Sequence, residues 1–149
     1  MSLPLSGKIA LVTGSSRSIG AAIVKRLAAD GASVVVNYLN NAAAAHKLAD
    51  EINTTGQGKA ITIKADVSSV DEGRRLVEET VQQFGRLDIL VLNAGYVEML
   101  ALNSLTEEEF DKHFAVNAKV PLFMVQAATK YLTAGSSFFC IIECLLLIS

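Results

Sequence analysis

The chain has no tryptophan, only two prolines, two cysteines and a small share of aromatic residues. Cys140 and Cys144 do not form a C-x-x-C pair, so we interpret both as small apolar residues of a reduced protein and predict no metal site. The sequence also lacks a basic run, and its pI is near 5.7. These absences exclude nucleic acid as an expected partner.

Long hydrophobic runs are missing as well. The longest, from Phe138 to Ile148, is interrupted by Glu143 and is shorter than the ~20 residues that a membrane-spanning helix needs. The first six residues have neither the charged start nor the apolar core of a signal peptide. We therefore expect a cytoplasmic protein without a membrane partner. The length of 149 residues predicts a single domain, 1–149.

Apolar runs that suit buried strands alternate with helical patterns along the chain. The alternation predicts an α/β fold, a doubly wound parallel sheet of Rossmann type in a three-layer αβα arrangement, with the ligand at the carboxyl ends of the strands. The predicted strands are 8–13, 33–37, 60–65, 88–92 and 137–148, and the predicted helices are 18–30, 41–55, 70–84, a short helix that starts at Thr106, and 117–132.

A turn of small residues, Thr13 to Gly20, joins the first strand to the first helix. Small residues let the backbone approach a ligand, and the helix N-terminus favours an anion such as a phosphate. An ordinary strand-to-helix turn is the alternative interpretation. The spacing resembles T-G-x-x-x-G-x-G, the cofactor motif of the short-chain dehydrogenase/reductase family. Ser18 stands where that family usually has the middle glycine.

A second motif, Asn93-Ala94-Gly95, follows the fourth strand and is typical of the same family. With both motifs the chain is identified as a member, similar to the NADP-dependent 3-oxoacyl-carrier-protein and polyhydroxynaphthalene reductases. The resemblance covers about 8–132. The apolar tail, 138–149, leaves the family pattern after about Ser137, so most of the second half of the family's sheet is missing from this sequence.

The second strand ends at Asn37 and Tyr38, without the acidic residue that selects NAD in dinucleotide folds. Arg17, inside the first turn, has a guanidinium that could meet a 2′-phosphate. The sequence therefore predicts NADP(H) as the cofactor, with NAD as the second choice. The alternative for Arg17 is a solvated loop cation.

Asp66-Val67, after the third strand, resembles the family's pair beside the adenine ring. The alternative for Asp66 is a solvated carboxylate at the start of the next helix. The resemblance as a whole implies one set of cofactor-binding residues: Gly14, Ser16, Arg17, Ser18, Ile19, Gly20, Asn37, Tyr38, Asp66, Val67, Asn93, Ala94 and Gly95.

Family chemistry uses a tyrosine, a lysine four residues later and a serine. No tyrosine of this chain has that lysine: Tyr38, Tyr96 and Tyr131 are followed four residues later by Ala42, Leu100 and Gly135. Ser149 ends the apolar run of the tail, as the family's catalytic serine ends such a run, but the catalytic role is not assigned to Ser149. Asn117 matches the family's catalytic asparagine and is the one catalytic residue carried over.

Three interpretations of function stay open. The family implies an NADPH-dependent reductase of small carbonyl substrates, here without its proton donor. The second is a non-catalytic NADP-binding module that pairs with an intact homologue, and the third is a truncated product that does not fold stably. The helix 117–132 is apolar nearly all round, so a homo-oligomer through this helix is expected. We interpret His46 and His113 as solvated.

Overall fold

The computed structural model describes residues 2–141 and 147–148. The strands in these residues are β1 (Ile9–Val12), β2 (Ser33–Tyr38), β3 (Ala60–Lys64), β4 (Ile89–Leu92), β5 (Leu100–Ala101), β6 (Ser137–Cys140) and β7 (Leu147–Ile148). The helices are α1 (Ser18–Ala29), α2 (Ala42–Thr55), α3 (Val70–Phe84), α4 (Glu107–Phe114) and α5 (Val120–Ala128), with a 3₁₀ turn at Leu102–Ser104 and a π-helical turn at Ala115–Lys119.

Five strands form a parallel sheet in the order β3-β2-β1-β4-β6. The central strand, β1, is paired on both sides: Val12 is in register with Val36 of β2 and with Val91 of β4. The chain first builds outward from β1 through β2 and β3, then returns to add β4 on the other side. The predicted doubly wound parallel sheet is confirmed, with its switch point between β1 and β4.

Each face of the sheet packs against its own helices. On one face Val24 of α1 packs with Val12 and Val34, and α2 extends the same layer over β3. On the other face, α3 and α5 cover buried strand residues and contact each other. Gly73 permits that contact, because a Cβ there would lie 2.9 Å from Cγ of Met124. Both faces of β1, β2 and β4 are therefore covered, as the buried strands of a parallel sheet require. The edge strand β6 is not covered in this way, because all four of its residues are exposed.

The predicted helix boundaries hold best where the sequence carries caps. Asn41, Ser69 and Thr106 each accept a hydrogen bond from a backbone amide of the first turn of α2, α3 and α4. Gly56 and Gly85 end α2 and α3 with φ values of 69° and 80°, which a glycine adopts without strain. The predicted bounds of α3, 70–84, agree with the structure at both ends.

The predicted helix 117–132 differs from the structure. The chain is helical from α4 through the π-helical turn into α5, which ends at Ala128. Pro121 does not interrupt this helical run; it lies in the first turn of α5, directly after the π-helical turn. The helix is also not equally buried on all sides: Met124 is 1% exposed, whereas Leu122 is 67% exposed.

The predicted fifth strand, 137–148, is wrong in its length. Only Ser137–Cys140 pairs with β4, while Leu147–Ile148 pairs with β5 in a separate two-stranded sheet. The pairing in the main sheet ends with the bond from the Ile141 amide to the Leu92 carbonyl, because β4 itself ends at Leu92. Glu143, Cys144 and Ser149 lie outside the described residues.

A buried carboxylate fastens the start of β4 to β1. Asp88 accepts hydrogen bonds from the Ile9 amide at 3.0 Å, from Lys8 Nζ at 3.3 Å and from Arg86 Nη2 at 2.6 Å. Burial acts to raise the pKa of Asp88, but these three donors outweigh it, so that its pKa lies below the ordinary value. The ionised carboxylate therefore stabilises the sheet.

Candidate functional site

A cleft of about 690 Å³ lies at the carboxyl ends of the central strands, at the switch point. Its walls come from the loops that follow β1, β2, β3 and β4. Every residue that the sequence assigned to cofactor binding lines it: Gly14, Ser16, Arg17, Ser18, Ile19, Gly20, Asn37, Tyr38, Asp66, Val67, Asn93, Ala94 and Gly95. The structure thus brings the set together in one place, and their role in binding stays a prediction.

The two sequence motifs are joined by Thr13, which the sequence analysis did not assign to the site. Its Oγ1 accepts hydrogen bonds from the backbone amides of Asn93 at 3.0 Å and Ala94 at 2.9 Å. In return Asn93 Nδ2 donates to the Thr13 carbonyl at 3.0 Å. The threonine of the first motif was the available signal, but its partner lies 80 residues away.

Two positions of the turn require glycine, because neighbouring atoms of the protein lie too close to leave room for a side chain. Gly14 has φ of +59°, and a Cβ on it would lie 3.1 Å from Cα of Ala94. A Cβ on Gly20 would lie 2.6 Å from Nδ2 of Asn93 and 2.7 Å from Cα of Ser15. Glycine at these two positions therefore lets the turn pack directly against Asn93-Ala94-Gly95.

The side chain of Asn37 bonds to the protein itself. It borders the cleft but is 1% exposed, and its side chain is occupied by the protein. Oδ1 accepts from the Gly14 amide at 2.9 Å, while Nδ2 lies 3.3 Å from the carbonyls of Ile63 and Ala65. Asn37 therefore holds the turn to β2 and β3, and Tyr38 beside it is the more accessible of the two.

The N-terminus of α1 faces the cleft without a side-chain cap, unlike those of α2, α3 and α4. Arg17 precedes the helix in an extended conformation and is exposed. Within residues 2–141, no carboxylate forms a salt bridge with Arg17. Uncapped amides, the helix dipole and an unpaired guanidinium together make this edge of the cleft favourable for a phosphate.

Ser18 has φ of +52°, the left-handed conformation that glycine adopts freely and serine does not. This conformation suits the glycine that the family usually has at this position.

Asp66 lies at the opposite side of the cleft and closes a local turn. Its Oδ1 accepts from the Ser68 amide at 2.9 Å and from Ser68 Oγ at 2.7 Å. Ser69, not Asp66, caps α3. Asp66 thus lies at the start of α3, and Asp66 and Val67 both line the cleft, so its role beside an adenine ring stays a prediction.

Asn117 lies behind the cleft wall and is mostly buried. Its Oδ1 accepts from the backbone amide of Tyr96, and its Nδ2 donates to the carbonyl of the same residue, both at 2.8 Å. The π-helical turn Ala115–Lys119 carries Asn117. The side chain therefore fixes the segment that directly follows Asn93-Ala94-Gly95.

The model of the short chain dehydrogenase family matches residues 8–138. The chain belongs to this family. It is 51% identical over 133 residues to an uncharacterized oxidoreductase of Methylorubrum extorquens, covering 89% of this chain and 53% of that protein. It is 47% identical to a probable tetrahydroxynaphthalene reductase of Zymoseptoria tritici, covering 88% and 49%.

Solved structures agree with this assignment. A short chain dehydrogenase from Burkholderia cenocepacia in complex with NADP superposes with a TM-score of 0.87 at 42% identity, over 90% of this chain and 54% of that one. A blue fluorescent protein from a metagenomic library in complex with NADPH gives 0.86 at 37% identity, over 90% and 55%. The chain spans about half the length of the relatives that it matches.

This short chain dehydrogenase has a tyrosine–lysine pair in the cleft that the sequence did not reveal. Lys112 Nζ donates to Tyr96 Oη at 2.6 Å and lies 4.0 Å from the ring centroid, although the two residues are 16 positions apart. Tyr96 Oη also donates to Glu98. Glu98 raises the pKa of Tyr96 and outweighs the opposite effect of Lys112. Lys112 therefore does not bring the pKa of this phenol below its ordinary value, as a lysine that activates a tyrosine does.

The sequence analysis interprets His113 as solvated, and this interpretation is wrong. It is 3% exposed, and its Nε2 lies 3.1 Å from the Glu98 amide and its Nδ1 2.7 Å from the Glu109 carbonyl. His46 is exposed, as expected, beside Thr62. A lone histidine on an amphipathic helix gives no signal of such partners.

Two kinds of feature are absent from the described part of this family member. No helix there combines the length and the apolar character that crossing a membrane requires. No three His, Cys, Asp or Glu side chains in the same residues are grouped so that they could hold a metal ion.

Proposed function

We propose that this chain binds NADP(H) in the cleft and is the cofactor-binding part of a carbonyl reductase of its family. One observation carries the proposal: the thirteen predicted residues line a single cleft. An uncapped helix N-terminus and an unpaired arginine lie at the edge of the same cleft. The relatives crystallised with NADP and NADPH support it. NAD is the second choice, since no acidic residue ends β2.

The residues that are present fit a dinucleotide. The turn from Gly14 to Gly20 would hold the pyrophosphate, because it lines the cleft at the uncapped N-terminus of α1. Arg17 would pair with the 2′-phosphate, and Asp66 and Val67 would flank the adenine. When bound, the nicotinamide would exchange a hydride with a carbonyl carbon. Asn93 and Asn117 would keep the wall of the site in place through their backbone contacts.

The chain alone is proposed to have negligible turnover. Reduction of a small carbonyl substrate needs a proton donor beside the carbonyl oxygen, and the Y-x-x-x-K pair is absent from the sequence. Tyr96 is a poor replacement, because Glu98 takes its hydrogen bond and raises its pKa. We therefore favour a cofactor-binding module over an independent enzyme.

The proposal is tested by titrating the protein with NADPH and NADH while nicotinamide fluorescence is followed. Arg17→Gln should weaken NADPH binding roughly ten- to a hundredfold and leave NADH binding unchanged, because one charge-assisted pair with the 2′-phosphate is lost. Lys25→Gln, an exposed cation of the same helix that pairs with Glu51, should change neither. Failure of the wild type to bind either nucleotide would refute the proposal.

The surface of the helical segment supports a second proposal, that the module associates with another subunit of the family. Phe110 and Phe114 stack with centroids 4.3 Å apart and are 44% and 53% exposed, and Leu122 is 67% exposed. Exposed apolar patches commonly mark protein contacts. Sedimentation velocity should show an oligomer that Leu122→Gln dissociates. A wild-type monomer at high concentration would exclude homo-oligomers.

A further inference from the structure

His113 is bound at both ring nitrogens, and the two bonds fix its protonation state. The Glu109 carbonyl, 2.7 Å from Nδ1, can only accept, so Nδ1 carries a proton. The Glu98 amide, 3.1 Å from Nε2, can only donate, so Nε2 is without one. Both bonds exist together only in the neutral imidazole. A second proton, on Nε2, would place an N–H donor opposite the N–H donor of Glu98, and no hydrogen bond could form between them.

The bond to Glu98 belongs to a larger attachment of one loop to one helical segment. Asn117, one helical turn beyond His113, binds both backbone atoms of Tyr96. The ring of His113 meets the ring of Tyr96 edge-on, with centroids 4.7 Å apart. Tyr96 lines the cleft next to Gly95. The segment 96–98 is therefore held at both ends by side chains of the same helical stretch.

Charged groups surround the imidazole from both elements that pack against it. Glu98 and the phenol of Tyr96 come from the loop, and Glu109 and Lys112 come from α4. The carboxylates would attract the added charge of an imidazolium, and Lys112 would oppose it. Neither effect restores an acceptor to the Glu98 amide, so protonation removes that bond in every case.

We propose that His113 is a positioning residue whose neutral ring holds the segment 96–98 against the cofactor cleft, so that acidification loosens this wall and weakens NADPH binding. The inference rests on the proposed function. Because the hydrogen bond needs the neutral ring, its contribution is lost when a second proton binds to the ring.

The binding test compares NADPH affinity at pH 8 and pH 5 in three proteins. The 2′-phosphate of NADPH takes up a proton in the same range, so each protein shows some loss. The wild type should lose roughly tenfold more affinity than His113→Gln, whose amide is neutral throughout and can still accept the Glu98 bond. His46→Gln, the exposed histidine, should match the wild type. Equal losses in all three proteins would overturn the inference.

A second measurement needs neither a variant nor the cofactor. The ring signals of the two histidines and the amide signal of Glu98 can be followed by NMR as the pH is lowered. The Glu98 amide should shift together with the His113 ring and not with that of His46. An amide that does not respond to His113 would refute the inference. A protein that binds no NADPH at any pH but shows this coupled shift would instead refute the proposed function.

Discussion

Gly20 lies directly against Asn93: a Cβ on the glycine would be 2.6 Å from the amide nitrogen of the asparagine. The two residues belong to motifs more than seventy positions apart in the sequence. The same Nδ2 lies 3.0 Å from the Thr13 carbonyl. The two family motifs are therefore one packed unit, and each depends on the small size or the hydrogen bonds of the other.

Gly20→Ala should destabilise the protein by about 1–3 kcal/mol and abolish nucleotide binding, because the added methyl group meets Ser15 and Gly14 backbone as well as Asn93. Denaturant unfolding and NADPH titration measure the two effects. Ala22→Ser adds one atom on the exposed side of the same helix and should change the free energy of unfolding by a few tenths of a kcal/mol. An unaffected Gly20→Ala protein would contradict the packing.

Ser18→Gly should stabilise the protein by about 0.5–1 kcal/mol. The left-handed φ of +52° costs a serine about 1–2 kcal/mol, and the greater freedom of glycine in the unfolded chain offsets part of the gain. Ser16→Gly is the matched control: Ser16 lines the same cleft without a positive φ, so this change should destabilise. The melting temperatures of both variants are compared with that of the wild type. Equal shifts in the two variants would argue against backbone strain at Ser18.

Asp88→Asn should lower the free energy of unfolding by about 1–3 kcal/mol at neutral pH, since the charge-assisted bonds from Lys8, Arg86 and Ile9 weaken. The pKa of Asp88 is below its ordinary value. Its contribution is therefore complete above that ordinary value and is lost as the pH falls through the folded-state pKa.

Unfolding experiments from neutral to acid pH test the Asp88 prediction. The difference between wild type and Asp88→Asn should shrink toward the acid end. Asp71→Asn removes a carboxylate that is 94% exposed and should have little effect at any pH. A difference for Asp88→Asn that stays constant over the whole range would show that the carboxylate charge is unimportant.

Turnover with NADPH and a small ketone should stay at the background rate. General acid catalysis ordinarily contributes ~10²–10⁴-fold, and Tyr96 is held as a hydrogen-bond donor to Glu98. The measurement is the fall of nicotinamide absorbance at saturating NADPH, beside an intact relative of the family. A rate within tenfold of that relative would disprove the assignment as a binding module, and Tyr96→Phe would then show whether Tyr96 is the acid.

The sequence predicted the ends of a helix well where the residues that end it lie within one turn of it. Ser69 and Gly85 bound α3 at the predicted residues, because a cap and a left-handed glycine act within one turn. The tail was harder to predict. Its apolar composition suited one long strand, but the length of β6 is set by its partner β4, which the local pattern does not contain.

The candidate site shows the same difference between features that nearby residues determine and features that distant residues determine. Its cofactor motifs could be found from their spacing, and the structure gathers them around one cleft. The side chains that hold the cleft together could not be found. Thr13 and His113 owe their roles to distant backbone amides, at Asn93 and Glu98, and no periodicity in the sequence marks such partners.

The uncapped start of α1 has a consequence for the lifetime of the protein. The chain caps the first turns of α2, α3 and α4 with its own side chains and leaves that of α1 without a side-chain cap. A nucleotide there would act as the missing cap, and at a hundredfold excess over its Kd it would add about 2.7 kcal/mol to the free energy of unfolding. The folded population would then follow the nucleotide supply, and starvation for NADPH would expose this protein to proteolysis.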